Sequence, residues 1–145
     1  MYKHILIATD GSELATKAVT QGLALAKALG AKATAVTVTE PWVTMVTGDM
    51  AVAFPVEDYE ASCAANAKKI LGEVSEMAKK SDATCATLHI ADRFPGEGII
   101  EAAKSSGCDL IVMASHGRRG VARLLLGSQA NWVVTHSTVP VLICR

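Results

Sequence analysis

The sequence predicts a doubly wound α/β domain, a single parallel sheet of five strands with helices on both faces. Three observations carry that reading. Short apolar runs alternate with segments of helical period from one end of the chain to the other. The runs are continuously apolar, the mark of strands buried on both faces under crossover helices. A helix-length segment separates each strand from the next, so the connections are crossovers, which close right-handedly. At 145 residues this is the length of one domain, and no internal repeat or low-complexity linker divides it.

The elements follow in order. Lys3 to Thr9 is a run of strand length closed by Asp10-Gly11-Ser12. Leu14, Ala18, Leu25 and Leu29, flanked by Ala15, Val19 and Ala26, form a helical stripe over 12–29, and Gly30 stands where a C-cap glycine belongs. Lys32 to Thr39, β-branched and alanine-rich, is a second strand stopped by Glu40-Pro41. Residues 41–56 hold Pro41, Gly48 and Pro55 and keep no period. This loop carries Trp42, Met45, Met50 and Phe54, fit to cover a pocket, to meet a partner or simply to pack. Helical period returns from Glu57 through Tyr59, Cys63, Ala67, Ile70, Val74 and Met77. A third strand spans Ala83 to Ala91, a third helix Gly96 to Ser106, and a fourth strand Leu110 to Ala114. The glycine-bearing stretch Ser115 to Gly127 leads into a fourth helix, and Val139 to Cys144 is the last strand.

Composition removes several classes of function. Half of the residues are hydrophobic and 19% are charged, which excludes a disordered chain. Fourteen basic side chains balance fourteen acidic ones, so neither nucleic acid nor an anionic membrane is an expected partner. No apolar stretch approaches the roughly 18 residues of a membrane span, and Asp10 interrupts the first run too early for a signal-peptide core. Cys63, Cys85, Cys108 and Cys144 lie far apart without a C-x-x-C pair. They read as small buried hydrophobes in a reducing compartment, with no disulfide framework or zinc site. A cytoplasmic protein without a metal site is the expectation.

In doubly wound sheets ligands bind outside the carboxyl ends of the strands, where the winding reverses. That selects two segments: Ala8-Thr9-Asp10-Gly11-Ser12, and Met113-Ala114-Ser115-His116-Gly117-Arg118 running on to Gly127-Ser128. Glycines let the backbone approach a ligand, and a helix starting near Gly127-Ser128 aims free N–H groups and its positive end at an anion. Arg118, Arg119 and Arg123 add positive charge. The spacing Asp10-x-x-Glu13 also fits a capping box, so Asp10 is either a helix cap or a ligand contact, or both. Ser128 is expected as an N-cap, and Gly117 and Gly127 could reflect turn geometry alone. His116 reads as a loop-orienting or ligand-contacting imidazole, because no carboxylate or nucleophile stands beside it in sequence. Neither a G-x-x-x-x-G-K-[ST] loop nor a G-x-G-x-x-G or G-x-S-x-G motif occurs. A Walker-type NTPase, a standard NAD dehydrogenase and an α/β-hydrolase are therefore disfavoured.

Ala114-x-x-Gly117, nine residues, then Gly127-Ser128 resembles the G-x2-G-x9-G-[ST] nucleotide signature of the universal stress protein family, in its ATP-binding group. The opening Lys3-His4-Ile5-Leu6-Ile7-Ala8-Thr9-Asp10-Gly11-Ser12, the strand Asp109 to Met113, the run Leu124 to Ser128 and the terminal Val139 to Cys144 extend the resemblance over the whole chain. It implies a Rossmann-like sheet of order 3-2-1-4-5 that binds ATP, ADP or AMP, with Mg²⁺ admissible beside the phosphates. It also implies a cytoplasmic homodimer paired through the last strands and acting in stress regulation. Ala8, Thr9 and Asp10 would flank adenine and ribose, with Asp10 on the ribose hydroxyls and Val38 beside the adenine. Met113 and Ala114 would floor the ribose and phosphates, followed by the loop Ser115, His116, Gly117 and Arg118. Gly127, Ser128, Gln129 and Ala130 would supply phosphate donors. The chain departs from the signature at its first glycine, which is Ala114.

Three functions follow as alternatives. The first is a regulatory nucleotide-binding module with at most slow ATP hydrolysis and no efficient catalysis. The second is an interaction protein that has lost nucleotide and meets a protein partner through its dimer surface or the 41–56 loop, a reading Ala114 favours. The third is an adenylyl- or sulfur-transfer enzyme, weakened by the absence of an S-G-G-x-D-S-like loop and an H-x-G-H pair.

Overall fold

The structure is a computed structural model that describes residues 1–46, 48, 53–118 and 125–145. The five apolar runs fold as strands β1 (His4–Ala8), β2 (Lys32–Val38), β3 (Cys85–Ile90), β4 (Leu110–Ala114) and β5 (Val141–Cys144). They pair in parallel in the order β3-β2-β1-β4-β5. Helices α1 (Glu13–Leu29), α2 (Val56–Lys80), α3 (Pro95–Ser106) and α4 (Ser128–His136) make the crossovers, and a 3₁₀ turn, Trp42–Thr44, follows β2. No helix among the described residues is long and apolar enough to cross a membrane.

Period-two alternation along the inner strands divides the core into two layers. Ile5, Ile7, Ala33, Ala35, Leu110 and Val112 pack with Val19, Leu23, Leu71 and Val74 of α1 and α2. Leu6, Ala8, Val36, Ile111 and Met113 pack on the opposite face with Ile99, Ala102, Ala130 and Val133 of α3 and α4. Ile5, Leu6, Ile7, Ile111 and Val112 are completely excluded from solvent. Burying each such side chain contributes about 1.5–3 kcal/mol, which makes β1 and β4 a rigid base for whatever stands at their ends.

Burial on both faces holds for the inner strands and relaxes at the edges. On β3 Ala86 and Thr87 are exposed, and on β5 Leu142 is exposed. The last strand begins at Val141, two residues later than the sequence suggests. Pro140 has no amide to give the ladder, although its carbonyl accepts from Ile111 N at 3.0 Å, and Val139 is turned back onto the Ser137 hydroxyl. The third strand is likewise shorter than Ala83 to Ala91, because the Ala83 amide closes the end of α2 on the Ala78 carbonyl at 2.9 Å. Gly30 ends α1 at φ +62°, in the left-handed region expected of it. Proline occupies the first position of α3, where its missing donor costs nothing.

All four cysteines are free thiols, and Cys108 and Cys144 are buried. Burial, together with the neighbouring Asp109 charge, pushes the Cys108 thiol up to about 11, and burial raises Cys144 and Cys85.

Candidate functional site

β1 and β4 lie side by side, yet the chain leaves them for helices on opposite faces, so the loops beyond them diverge. A cavity of about 550 Å³ occupies that opening. The residues that the family resemblance sets around a nucleotide all lie on its wall, whereas Gly11 and Ser12 of the first segment do not. Ala8, Thr9 and Asp10 come from the end of β1, Val38 from β2, and Met113, Ala114, Ser115, His116, Gly117 and Arg118 from β4 and its loop. Gly127, Ser128, Gln129 and Ala130 come from the start of α4. Arg119, Arg123 and Met50 lie outside the described residues.

One end of the cavity is apolar. Val36 and Val38 stand there with Ile99 and Pro95 of α3 and Met113 of β4. The slot is narrow because α3 rests directly on β2: a Cβ on Gly98 would lie 2.6 Å from Val38 Cγ1. The main chain at Val38 carries the polar information here. Residues 32, 34 and 36 of β2 turn their peptide groups toward β1: Lys32 N donates to the Lys3 carbonyl, and the Val36 carbonyl accepts from Thr9 N at 2.9 Å. Val38 follows in the same phase, but β1 has ended and the Gly11 amide bends away to Thr9 Oγ1 at 3.1 Å. The Val38 N–H and C=O therefore face the cavity with no main-chain partner among the described residues. This half-buried donor–acceptor pair is open to water or a ligand.

The other end is a cradle of main-chain donors. Helix α4 has Gly127 as its N-cap and no side-chain cap bond. Ser128, the expected cap, is instead the first helical residue, because the chain reaches the helix through Gly127 at φ −59°, ψ 157°. Asn131 is the first to donate within the helix, to the Gly127 carbonyl at 2.9 Å. The amides of Ser128, Gln129 and Ala130 precede that ladder and stand at the positive end of the helix dipole. The Gln129 side chain is engaged elsewhere: its Oε1 accepts from Gly96 N at 2.8 Å and caps α3, locking the two helix starts together.

The two signature glycines are there for close approach, not turn geometry, since neither has a positive φ. A Cβ on Gly117 would lie 2.7 Å from Asp10 Oδ2, and one on Gly127 would lie 3.1 Å from the Ser115 carbonyl that accepts the Gly127 amide. Asp10 proves not to be a helix cap. Ser12 caps α1 through its hydroxyl, while the Asp10 carboxylate accepts from Ser12 N at 2.9 Å and from Arg118 N at 2.9 Å. It thereby clamps the β1 turn to the β4 loop. Ala114 has ordinary φ and packs in the α1 layer, so the methyl that replaces the first signature glycine joins the core beneath the cavity. His116 Nδ1 pairs with Ser115 Oγ at 3.1 Å, an orienting bond within the loop. The Arg118 guanidinium lies over Gly11, whose Cβ would meet Nη2 at 3.2 Å.

Sequence reasoning passed over Ala15, Val36, Glu40, Pro95, Ile99, Leu125 and Leu126 on the same wall. Val36 was recoverable, two residues before Val38 on one strand face. From the 41–56 loop, Trp42, Met45 and Phe54 do not reach the cavity. Trp42 Nε1 donates to the Phe54 carbonyl at 3.0 Å, and Phe54 sets its ring edge against Tyr59, centroids 6.1 Å apart. Among the described residues no group of three or more His, Cys, Asp or Glu gathers to hold a metal ion.

Fold and cavity together define a doubly wound α/β protein with a cleft at its switch point, between the ends of β1 and β4 and the start of α4. The chain belongs to the universal stress protein family, whose profile matches residues 1–145. It is 30% identical to the universal stress protein YxiE of Bacillus subtilis over 100% of both chains. Among solved structures it is similar to UspA of Lactobacillus plantarum, with a TM-score of 0.85 at 25% identity, over 99% of this chain and 98% of that one. It is also similar to a universal stress protein in complex with cAMP, with a TM-score of 0.71 at 26% identity, over 99% of this chain and 97% of that one.

Proposed function

We propose that this chain is a regulatory adenine-nucleotide-binding protein of the stress response. The observation that supports this most is the placement of two opposite kinds of recognition at the two ends of one cavity. At the apolar end, Val38 offers an N–H to adenine N1 and a C=O to its 6-amino group, with the ring held between aliphatic side chains. At the far end, the amides of Ser128 to Ala130 meet a phosphate at the positive end of α4. Asp10, between them, holds the two loops in register and retains acceptor capacity for ribose hydroxyls. The cAMP complex of a structural relative agrees with this reading. ATP, ADP and AMP share the groups recognised, and any Mg²⁺ would arrive with the phosphates.

The role is binding, with slow hydrolysis at most. Both Asp10 oxygens already hold amides, and His116 is turned onto Ser115. A symmetric homodimer through the β5 edge fits the same reading, because a parallel sheet's open edge calls for a partner and Leu142 is exposed there. Such a dimer, working in the cytoplasm, would present nucleotide state to a protein partner. Calorimetric titration of AMP and ATP into folded, nucleotide-free protein tests the proposal. Saturable binding near one nucleotide per chain, weakened in Gly117→Val, is the expected outcome. An absence of heat and binding would refute it and leave the interaction-protein reading.

A further inference from the structure

Helix α3 brings no cap of its own. Phe94 stands at its N-cap position without a side-chain hydrogen bond, Pro95 at the first helical position has no amide, and Gly98 N donates to the Phe94 carbonyl at 2.9 Å within the helix. The Gly96 amide precedes that bond and needs an acceptor from outside. It finds one 33 residues along the chain, in Gln129 Oε1 of α4 at 2.8 Å.

Glycine at position 96 is what lets the two helices approach. Its φ is not positive, and a Cβ there would lie 2.9 Å from Trp132 Cε3 and 3.1 Å from Gln129 Oε1. Gly96 is buried, so losing the acceptor would strand a donor away from water.

This contact joins the two ends of the cavity. Helix α3 supplies Pro95 and Ile99 to the apolar end and sets Gly98 against Val38, so the place where α3 begins fixes the width of that slot. Helix α4 supplies Ser128, Gln129 and Ala130 to the opposite end. Gln129 belongs to both, through its side chain at one end and its main chain at the other.

We propose that Gln129 is a positioning residue that couples the two ends of the cavity: its side chain holds the α3 wall on which a base rests, while its main-chain amide serves the phosphate. The inference rests on the nucleotide reading above and adds a coupling to it. A phosphate that orders the first turn of α4 also fixes the Gln129 side chain and, through Gly96, the start of α3. Such coupling is reciprocal, so a seated base orders the phosphate end in turn.

The test compares adenosine and ribose 5-phosphate, titrated separately by ¹H–¹⁵N NMR into the wild-type chain, Gln129→Met and Gln129→Glu, each shown to be folded by circular dichroism. Methionine keeps the side-chain length and the main-chain amide but removes the acceptor. Glutamate keeps the acceptor and adds a negative charge beside the phosphate end. In Gln129→Met adenosine should bind about tenfold more weakly, against a loss of about threefold or less for ribose 5-phosphate. In Gln129→Glu adenosine affinity should return to within about twofold of wild type, because a carboxylate accepts well from a main-chain amide, while ribose 5-phosphate binds more weakly. Adenosine binding unaltered in Gln129→Met, or both ligands weakened alike in both variants, would overturn the role of Gln129 and leave the nucleotide reading intact. No binding of AMP, adenosine or ribose 5-phosphate by the wild-type chain would overturn that reading and the role of Gln129 with it.

Discussion

Two glycine-to-alanine substitutions, each within a helix, should move stability in opposite directions. Alanine is favoured over glycine in a helix interior by about 0.8–1 kcal/mol. At Gly72 of α2 a new Cβ would have no heavy atom within 4 Å, so the gain is undiluted. With an unfolding entropy of roughly 0.3 kcal/mol/K for a chain of this length, Gly72→Ala should raise Tm by about 3 °C. At Gly98 of α3 the same methyl would stand 2.6 Å and 2.8 Å from the two Val38 Cγ atoms and 3.3 Å from Cβ. Rotation of Val38 relieves the methyls but not Cβ, so helix and strand must part. Overpacking of this kind costs about 1–3 kcal/mol. The propensity gain offsets part of that, leaving a net loss of about 0–2 kcal/mol and a lower Tm. The displaced groups are the wall and main chain of the base slot, so AMP affinity should drop with stability, by about tenfold if the shift costs one hydrogen bond to the base. Thermal unfolding by circular dichroism and AMP calorimetry on the same preparations read both effects. A Gly98→Ala protein as stabilised as Gly72→Ala, with unchanged AMP affinity, would refute the reasoning.

Three further outcomes are expected. Gly117→Val should break the Asp10 clamp, because its Cβ falls 2.7 Å from Asp10 Oδ2; fluorescence titration should show AMP binding weakened by about tenfold or more with the fold retained, and unchanged affinity would contradict the clamp. The amides of Lys3 and His4 hold the Asp109 carboxyl below its usual range. Its stabilisation is therefore complete above the unfolded value of about 3.9 and lost as pH falls through the lower folded value, so Asp109→Asn should flatten the acid limb of a urea-midpoint profile below about pH 4; an unaltered limb would count against it. Buried Cys108 and Cys144, their thiols raised, should resist Ellman's reagent at pH 8 until denaturant is added, and rapid native labelling of Cys108 located by mass spectrometry would contradict that burial.

The strands and their alternation with helices were legible because burial on both faces leaves a continuous apolar signature, as in Ile5 to Ala8 and Leu110 to Ala114. The cavity-lining residues on β1, β4 and α4 were legible for a second reason: topology alone places strand ends at the switch point. What escaped depends on how elements meet. Pro95 and Ile99 reach the cavity because α3 lies on Val38 with Gly98 between them, a contact no local spacing announces. Asp10 and Glu13 have capping-box spacing, yet Ser12 is closer to the helix and takes the cap, freeing Asp10 to bridge to Arg118, 108 residues along the chain. Ser128 misses its expected role by one position, because Gly127 is pressed against Ser115 and must itself make the turn. Glu40 looked like the stop of a strand, but the Thr39 amide still donates to the Ile90 carbonyl at 2.9 Å, and Glu40 lines the cavity.

The central claim is that the Val38 main chain and the first amides of α4 are the two ends of one nucleotide site. A ¹H–¹⁵N NMR titration with AMP reads those amides individually. The account predicts that Val38, Ser128, Gln129 and Ala130 shift together and saturate at one equivalent per chain, with Val38 losing its response when ribose 5-phosphate replaces AMP. Shifts confined to other surfaces, or Val38 unmoved while AMP saturates elsewhere, would contradict it.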